Sequence, residues 1–335
     1  MIKKLIISRI DSLGDVILTL PTAGLMKKLI PGIKIYFLGR SYTEPIIQSC
    51  EYIDEFINWD EISGYPEYQK VIFFKSLNCD AIIHVFPDIQ IAKTAFKSKI
   101  PVKIGTSHRY YNWLYCNKLV SLGRKNSDLH ETQLNIKLFK SLGAVDNINL
   151  NEISSLYGLT NIEPLDKQLH DLIDNKRFNL ILHPKSKGSA REWGLENFGT
   201  LISLLPKEKY KIFITGTNED GKLLLPLFKK HKNEITDLTG QMTLTGLISF
   251  IAAADGLIAA STGPLHIAAA LQKVAIGLYS PMRPIHPGRW APVGKKASYL
   301  SLEKNCSKCR KTAICECILK ITPADVIQRL ENSAY

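Results

Sequence analysis

Asp15 is a carboxylate at a position in the sequence where it could act as an acid or a base on a ligand. It lies in a polar turn, residues 9–16, between an apolar run at residues 5–8 and an amphipathic segment at residues 16–30. This order predicts a strand, a turn and a helix, the unit that opens nucleotide-binding α/β domains. Ligands bind such sheets beyond the carboxyl ends of the strands, so the turn lies where chemistry would occur. The alternative is that Asp15 or a neighbour only caps the helix.

Three cations follow another predicted strand and could bind a phosphate group. Lys185, Lys187 and Arg191 lie in the segment 184–193, directly after the apolar run 178–183. Cations among small residues at the end of a strand form a natural phosphate pocket. The spacing is not that of a Walker loop, so it does not indicate a nucleoside triphosphatase.

A third polar turn, residues 261–266, comes after the apolar run 256–260. Pro264 suits the first turn of a helix, and Ser261 or Thr262 could cap that helix. Such a helix start presents backbone N–H groups to an anion. His266 could either pack in the interior or contact a ligand held by this turn.

Length and composition describe a globular protein of two domains. At 335 residues, with 45% hydrophobic and 22% charged residues, the chain exceeds one ordinary core and is not typical of a disordered protein. We place the domains at residues 1–165 and 166–335. No apolar run approaches the roughly 20 residues that span a bilayer, and the first residues lack a signal-peptide pattern. A cytoplasmic protein is therefore expected.

The net charge of +12 is unevenly distributed. No acidic residue occurs between Asp88 and Asp128, whereas this stretch contains several cations and four aromatic residues close together at 110–115. A basic stretch without compensating acids favours an anionic partner, such as phosphate groups, lipid headgroups or nucleic acid. Aromatic residues among cations suit a membrane interface or nucleic-acid stacking equally well. The cations that we consider for binding an anionic acceptor are Lys93, Lys97, Arg109 and Arg124.

Strands and helices are predicted to alternate through both halves of the chain. Alternation at this spacing indicates parallel sheets covered by helices, and hence two Rossmann-like, doubly wound α/β domains facing a central cleft. The predicted strands are 5–8, 33–38, 81–86, 102–105, 178–183, 210–215, 256–260 and 274–279. The predicted helices are 16–30, 67–76, 89–96, 129–142, 195–205, 244–254 and 265–271. The polar segment 147–174 is predicted to be a linker.

Four of the seven cysteines lie close together near the C-terminus: Cys306, Cys309, Cys315 and Cys317. Four thiolates could bind a structural zinc ion, although the Cys-x-Cys half is unusual spacing for such a site. The other three cysteines are isolated, which is typical of buried apolar residues. We therefore predict no catalytic metal and keep structural zinc, a disulfide and free thiols as alternatives.

The chain resembles the ADP-heptose:lipopolysaccharide heptosyltransferases, which form glycosyltransferase family 9 and have the GT-B fold. The resemblance runs in order along essentially the whole chain. It is carried by SLGDVILTLP at 12–21, REW at 191–193 with Phe198, STGPLHIAAA at 261–270 and GLYSP at 277–281.

The resemblance implies roles for particular residues. Asp15 corresponds to the general base of the family. Arg191, with Lys185 or Lys187, corresponds to the cations that bind the donor diphosphate. Thr262, Gly263 and His266 correspond to the start of the donor-binding helix. Ser261 departs from the family pattern, because heptosyltransferases often have an aspartate at this position.

The implied activity is inverting transfer of a sugar, expected to be heptose, from an ADP-sugar to an anionic lipopolysaccharide-core acceptor. The resemblance also implies that no cofactor is required and that the cysteine-rich segment has a structural role. It further implies a cytoplasmic protein that binds peripherally to the inner face of the membrane. Two alternatives are a nucleotide-sugar epimerase of the same fold and a non-catalytic nucleic-acid-binding protein. The epimerase would need acid and base residues on both sides of the sugar, and nucleic-acid binding would leave Asp15 without a role.

Overall fold

The structure, a computed structural model, describes residues 2–123, 127–145, 148–302, 309 and 314–334. The chain divides into two compact units, Met1–Asn161 and Ile162–Tyr335. The predicted domain boundary lies four residues further along the chain. None of the helices in the described ranges is long and apolar enough to cross a membrane.

The first unit is built on a parallel sheet with, among the described residues, six strands in the order β3-β2-β1-β4-β5-β6. The order turns back between β1 and β4, where Ser8 at the end of β1 is paired with His84 at the end of β4. Ligands of open α/β sheets bind beyond the strand ends at such a reversal point. The strands are β1 Lys4–Ser8, β2 Lys34–Gly39, β3 Glu55–Asn58, β4 Ala81–His84, β5 Val102–Thr106 and β6 Lys118–Val120.

Helices connect these strands, as parallel pairing requires. The α-helices are α1 Leu13–Ile17, α2 Leu20–Leu29, α3 Glu44–Gln48, α4 Trp59–Ser63, α5 Glu67–Ser76, α6 Ile89–Lys97, α7 Tyr110–Tyr115, α8 Glu131–Lys137 and α9 Leu150–Ser154. Short 3₁₀ turns occupy Ser41–Thr43 and Lys140–Leu142.

The single helix predicted at residues 16–30 is wrong, because the segment forms two helices, α1 and α2. In one continuous helix the ring of Pro21 would clash with the carbonyl of Ile17, four residues earlier. The chain breaks between these residues instead, and Pro21 lies in the first turn of α2, where its missing N–H is tolerated. The break leaves α1 as a short helix that holds Asp15 directly after β1.

The second unit repeats the same sheet order. Its described strands also form a six-stranded parallel sheet, in the order β12-β11-β10-β7-β8-β9, with the reversal between β10 and β7. The strands are β7 Phe178–His183, β8 Tyr210–Ile214, β9 Ile235–Asp237, β10 Gly256–Ala260, β11 Val274–Tyr279 and β12 Ala297–Ser301. The helices are α10 Lys167–His170, α11 Leu195–Leu204, α12 Asn218–Lys230, α13 Leu244–Ala253, α14 Gly263–Ala270, α15 Pro287–Trp290, α16 Glu316–Leu319 and α17 Pro323–Ala334.

Each sheet is covered by apolar side chains on its own helices. In the second unit, Trp193 is fully buried, packs edge-on against Phe198 at 4.9 Å between ring centroids, and donates a hydrogen bond to the Ile321 carbonyl at 2.8 Å. This contact ties the segment after β7 to the C-terminal helices. The core therefore fixes the turn in which Arg191 lies.

Candidate functional site

Asp15 lies in the first turn of α1, beyond the carboxyl end of β1. Among the described residues, its carboxylate accepts hydrogen bonds from the Arg9 guanidinium and from the Ser12 hydroxyl. Ser12 is at the N-cap position, yet its side chain makes no capping bond to the helix backbone. The Ser12 hydroxyl is therefore used to orient Asp15 rather than to cap α1.

Arg9 is the centre of a buried polar network, and its side chain is only 1% exposed. It binds Asp11 through two hydrogen bonds, from Nε to Oδ1 at 2.8 Å and from Nη2 to Oδ2 at 3.0 Å. Its Nη1 donates to Asn135 at 3.0 Å and to Glu131 at 3.3 Å, both on α8. A guanidinium buried among carboxylates holds them in a fixed geometry. The network therefore fixes the position of the Asp15 carboxylate.

The network also sets the protonation behaviour of Asp15. Burial raises the pKa of Asp15 above its usual value, and the Arg9 guanidinium opposes part of the rise, while Asp11 adds to it. Burial alone would lower the pKa of Arg9, but the carboxylates of Asp11, Asp15 and Glu131 raise it, so Arg9 stays charged. A carboxylate with a raised pKa beside a fixed cation is typical of a general base.

The paired residues at the β1–β4 reversal were not singled out from the sequence. Ser8 and His84 are fully buried, and the Ser8 hydroxyl and both His84 ring nitrogens have no hydrogen-bond partner among the described residues. Burial, together with the charge of Lys103, lowers the pKa of His84 to about 4, so the ring is neutral at pH 7. The sequence of a short apolar strand does not indicate that its histidine is buried and lacks a hydrogen-bond partner.

The cations proposed to bind the acceptor make their described contacts with residues other than Asp15. Lys93 and Lys97 lie on α6 and both pair with Glu67 on α5, at 2.8 and 2.7 Å. Arg109 is exposed at the N-cap position of α7. Arg124 lies outside the described residues. The exposed pairs with Glu67 were not anticipated, because Glu67 is 26 residues or more away along the chain.

The cationic turn after β7 is ordered by an acid of its own. Lys185 pairs with Glu192, which also accepts hydrogen bonds from the Ser186 backbone N–H at 2.9 Å and from the Ser186 hydroxyl at 3.2 Å. Lys187 is exposed, has a left-handed backbone (φ 49°) and forms no ion pair with any described residue. The next residue, Gly188, has φ 81°, a conformation that suits glycine. Lys187 is therefore the cation at the tip of the turn.

Arg191 lies beside a cavity of 920 Å³ within the second unit. Its Nη2 donates a hydrogen bond to the backbone carbonyl of Cys309 at 3.1 Å. The cavity is also lined by Ser186, Glu192 and Cys315. The guanidinium is thus held by the cysteine-rich segment while it borders open space.

The turn at residues 261–263 begins α14, as predicted. Thr262 is at the N-cap position and 6% exposed, and its hydroxyl neither caps the helix nor has a partner among the described residues. Ser261 directly follows β10 and is half-buried. Gly263 is the first residue of the helix, and His266, one turn later, is 3% exposed. The Thr262 hydroxyl is therefore a buried polar group at the helix start for which the described residues provide no partner.

Both predicted donor turns lie at one edge of the second sheet. The first follows β7 and the second follows β10, and His183 at the end of β7 is paired with Ala259 of β10. The reversal of strand order falls between these two strands, so the turns flank the position at which such sheets bind ligands. His183 itself is held by Thr215 at 2.9 Å, and burial lowers its pKa to about 4.

Three of the clustered thiols come together in the second unit. The ligand atoms of Cys309, Cys315 and Cys317 all lie within 4.8 Å of one another, and Cys306 lies outside the described residues. Burial would raise the pKa of Cys315, but the Ser280 hydroxyl and backbone N–H groups hold it below the usual value for a thiol. Such a donor set fits a thiophilic metal ion and also free thiols.

Comparison with known proteins agrees with this architecture. A model of the family described as glycosyltransferase family 9 (heptosyltransferase) matches residues 74–318. A putative glycosyltransferase of Haemophilus influenzae is 27% identical over 304 residues, which cover 87% of this chain and 86% of that protein.

Two solved structures are similar over nearly their whole length. The glycosyl transferase family 9 protein of Veillonella parvula has a TM-score of 0.82 at 19% identity, covering 99% of this chain and 97% of the other. The ADP-heptose lps heptosyltransferase II of E. coli has a TM-score of 0.75 at 18% identity, covering 99% and 98%.

The two parallel sheets and these neighbours define the class of protein, an α/β protein of the GT-B fold, which confirms the predicted fold class. The chain belongs to glycosyltransferase family 9, the heptosyltransferase family, and is a glycosyltransferase. The resemblance seen in the sequence is therefore confirmed. Family membership favours sugar transfer over the epimerase and nucleic-acid-binding alternatives.

Proposed function

We propose that this glycosyltransferase transfers heptose, with inversion, from ADP-heptose to an anionic lipopolysaccharide-core acceptor. The observation that carries the proposal is the position of Asp15, beyond the end of β1, with its carboxylate oriented by Arg9 and Ser12. The similar E. coli protein is an ADP-heptose lps heptosyltransferase, which supports the choice of donor.

Asp15 would act on the acceptor. Its carboxylate takes the proton of the acceptor hydroxyl while the hydroxyl oxygen forms a bond to the anomeric carbon. The bond between that carbon and the β-phosphate oxygen breaks on the opposite face, and ADP leaves with the electron pair. Attack opposite the leaving group inverts the anomeric centre. One base and one leaving group suffice for this reaction.

The second unit would bind ADP and stabilise the charge that develops on it. Arg191 borders the 920 Å³ cavity, Lys187 is the exposed cation of the turn, and the Thr262 hydroxyl stands at the start of α14. Fixed cations and backbone N–H groups stabilise a leaving diphosphate without reorganising. Lys185 would act indirectly, since its pair with Glu192 shapes the turn. We propose that these groups make a metal cofactor unnecessary for the transfer.

The first unit would bind the anionic acceptor and the membrane surface. Lys93, Lys97 and Arg109 lie on or beside α6 and α7, and the exposed pairs of the two lysines with Glu67 cost little to exchange for other anions. On α7, Tyr110 is 75% exposed and Trp113 66% exposed. Exposed aromatic residues beside cations are typical of a membrane interface. This arrangement supports a peripheral protein on the cytoplasmic face of the membrane.

The choice of donor can be tested with a panel of nucleotide sugars. ADP-heptose, ADP-glucose, GDP-mannose, UDP-glucose and dTDP-rhamnose would each be offered with a core oligosaccharide that lacks heptose. We expect transfer from ADP-heptose and an inverted anomeric configuration in the product by NMR. Exclusive use of a non-ADP donor would contradict the heptose proposal, and a retained configuration would contradict the role of Asp15.

Ser261 makes that panel informative. Its hydroxyl lacks the charge and second acceptor oxygen of the aspartate that heptosyltransferases often have at this position. An unmatched buried polar group costs roughly 1–3 kcal/mol, so discrimination among sugars can be large. We expect Ser261→Asp to change the relative rates of the ADP-sugars and to leave ADP affinity within about threefold of the wild-type value.

A further inference from the structure

The thiols of Cys309, Cys315 and Cys317 form a compact triangle in the second unit. The Sγ atom of Cys309 lies 3.2 Å from that of Cys315 and 3.8 Å from that of Cys317. Sulfur atoms joined in a disulfide are about 2.05 Å apart, so these thiols are close together without being bonded. Cys309 and Cys315 are each only 2% exposed.

One of the two separations matches the coordination shell of a tetrahedral metal, and the other is shorter. With metal–sulfur bonds of about 2.3 Å, the sulfur atoms at two corners of a tetrahedron are about 3.8 Å apart. The Cys309–Cys317 separation equals this value. The Cys309–Cys315 separation of 3.2 Å is that of a hydrogen bond between two thiols and would lengthen when a metal binds. Three thiols at these spacings therefore surround a point that a metal ion could occupy.

The other cysteines of the chain provide a contrast. Cys50, Cys79 and Cys116 are buried as single thiols, and burial raises the pKa of each. That is the behaviour of cysteine used as a small apolar residue. Cys309, Cys315 and Cys317 instead converge from three positions of one segment.

We propose that Cys309, Cys315 and Cys317 bind one thiophilic metal ion with tetrahedral geometry, Zn²⁺ or Fe²⁺. Each thiol loses its proton to solvent as it binds, so the site carries thiolates. Tetrahedral sulfur ligation is common to zinc and iron sites in proteins. The role is structural, because two of the three thiols, those of Cys309 and Cys315, are only 2% exposed.

The metal site would act on the sugar-donor site through Arg191. The backbone carbonyl of Cys309 accepts the hydrogen bond from Arg191 Nη2 at 3.1 Å, and Cys315 lines the same 920 Å³ cavity as Arg191. Fixing Cys309 by metal would therefore fix the guanidinium. This second step rests on the proposed function, whereas the metal site itself does not.

The metal content of the purified protein tests the proposed metal site. Protein purified under reducing conditions would be analysed for zinc and iron by inductively coupled plasma mass spectrometry. We expect about one equivalent of one of the two metals per chain in the wild type and below about 0.2 in Cys315→Ser and Cys317→Ser. Cys116→Ser, a single buried thiol in the other unit, is the matched control and should keep the full content.

The metal content of the wild-type protein is an independent test, because unfolding of a serine variant would also remove the metal. A wild type that contains no metal and takes up neither Zn²⁺ nor Fe²⁺ under reducing conditions would overturn the site, as would full metal content in both serine variants. Replacement by Co²⁺ should give the absorption of a tetrahedral thiolate complex, and an octahedral spectrum would contradict the proposed ligands.

ADP titration tests the link with Arg191 separately. Removal of the metal from the wild type by a chelator should weaken ADP binding about tenfold. Loss of residues that support metal ligands has effects of about this size. In Arg191→Ala the same treatment should change ADP affinity little. A metal-containing protein whose ADP affinity is unchanged by removal would overturn the link alone, and a metal-containing protein that binds no ADP would contradict the proposed function alone.

Discussion

Asp15 and Asp11 share the guanidinium of Arg9 but are held differently. Asp11 binds Arg9 with both carboxylate oxygens, at 2.8 and 3.0 Å. Asp15 receives Arg9 on Oδ1 and the Ser12 hydroxyl on Oδ2. The Asp11 carboxylate is therefore committed to an ion pair, whereas that of Asp15 is oriented by a cation and a hydroxyl. This difference yields a test of the general base with its control in the same network.

Asp15→Asn should lower kcat about 100-fold or more, because the amide cannot take the proton of the acceptor hydroxyl. ADP affinity and the thermal unfolding midpoint should stay near the wild-type values, since the amide oxygen still accepts from Arg9. The measurements are steady-state kinetics, ADP calorimetry and thermal unfolding.

Asp11→Asn is the matched control, with a similar exposure (21% against 18% of the side chain) and the same cation partner. We expect it to keep kcat within about tenfold of the wild type, the loss coming from a looser Arg9. Equal losses in the two variants would show that both act through Arg9 and would remove Asp15 as the base.

The pH dependence of the rate should report Asp15. Only the ionised carboxylate can accept a proton, so kcat/KM should fall as the pH drops through the pKa of Asp15 in the free enzyme. Burial raises this pKa, so the fall should come above the value of about 3.9 typical of an exposed aspartate. The residual activity of Asp15→Asn should lack this acid limb. An acid limb at or below pH 3.9 in the wild type would contradict the raised pKa.

Arg9→Met should destabilise the first unit severely. It removes a guanidinium that pairs with Glu131, a side chain that is itself 1% exposed. Breaking a buried ion pair by removal of one partner costs about 3–5 kcal/mol. Arg40→Met, which breaks the exposed pair with Asp60 in the same unit, should cost below about 1 kcal/mol. Urea unfolding of both variants checks the difference, and similar losses would contradict the network's role in stability.

The central strands of both sheets were predictable, because apolar runs mark buried strands. The edge strands β3, β6, β9 and β12 were not predicted. The bounds predicted for β7, β10 and β11 agree with the structure, as do those of α5. The longest described helix, α12, was missed. Its sequence carries Pro226 and many charged residues, and its start is fixed by the reciprocal bonds of Thr217 and Asp220 rather than by an apolar stripe.

The site was predictable only in part, for a physical reason. The positions of Asp15 and of the cationic turn, each directly after a strand, can be predicted from the local sequence alone. The partners that fix them are non-local: Glu131 lies 122 residues from Arg9, and Cys309 lies 118 residues from Arg191. Only packing brings such pairs together. Glu192 is the exception, since it lies seven residues from Lys185, but the pairing depends on the turn at Lys187 and Gly188.

Arg191→Ala should weaken ADP binding by about 2 kcal/mol, close to 30-fold in Kd, if the guanidinium binds a phosphate. Lys187→Ala should weaken it by about 1 kcal/mol, because an exposed cation is partly screened. Arg177→Ala is the control, since Arg177 pairs with Asp174 away from the cavity and should leave Kd unchanged. Calorimetry with ADP checks all three, and an unchanged Kd in both test variants would exclude this turn as the diphosphate site.

The exposed face of α7 should bind anionic membranes. Trp113 and Leu114 are 66% and 65% exposed, beside the cations of α6. Replacing both with serine removes apolar area that would enter the headgroup region, so we expect about tenfold weaker binding to vesicles of phosphatidylethanolamine and phosphatidylglycerol. Leu223→Ser is the matched control, because Leu223 is 58% exposed on α12 of the other unit. Sedimentation with vesicles measures the binding, and raising the salt concentration should weaken that of the wild type as well. Equal binding of the double variant and the wild type would show that α7 is not the membrane-facing surface.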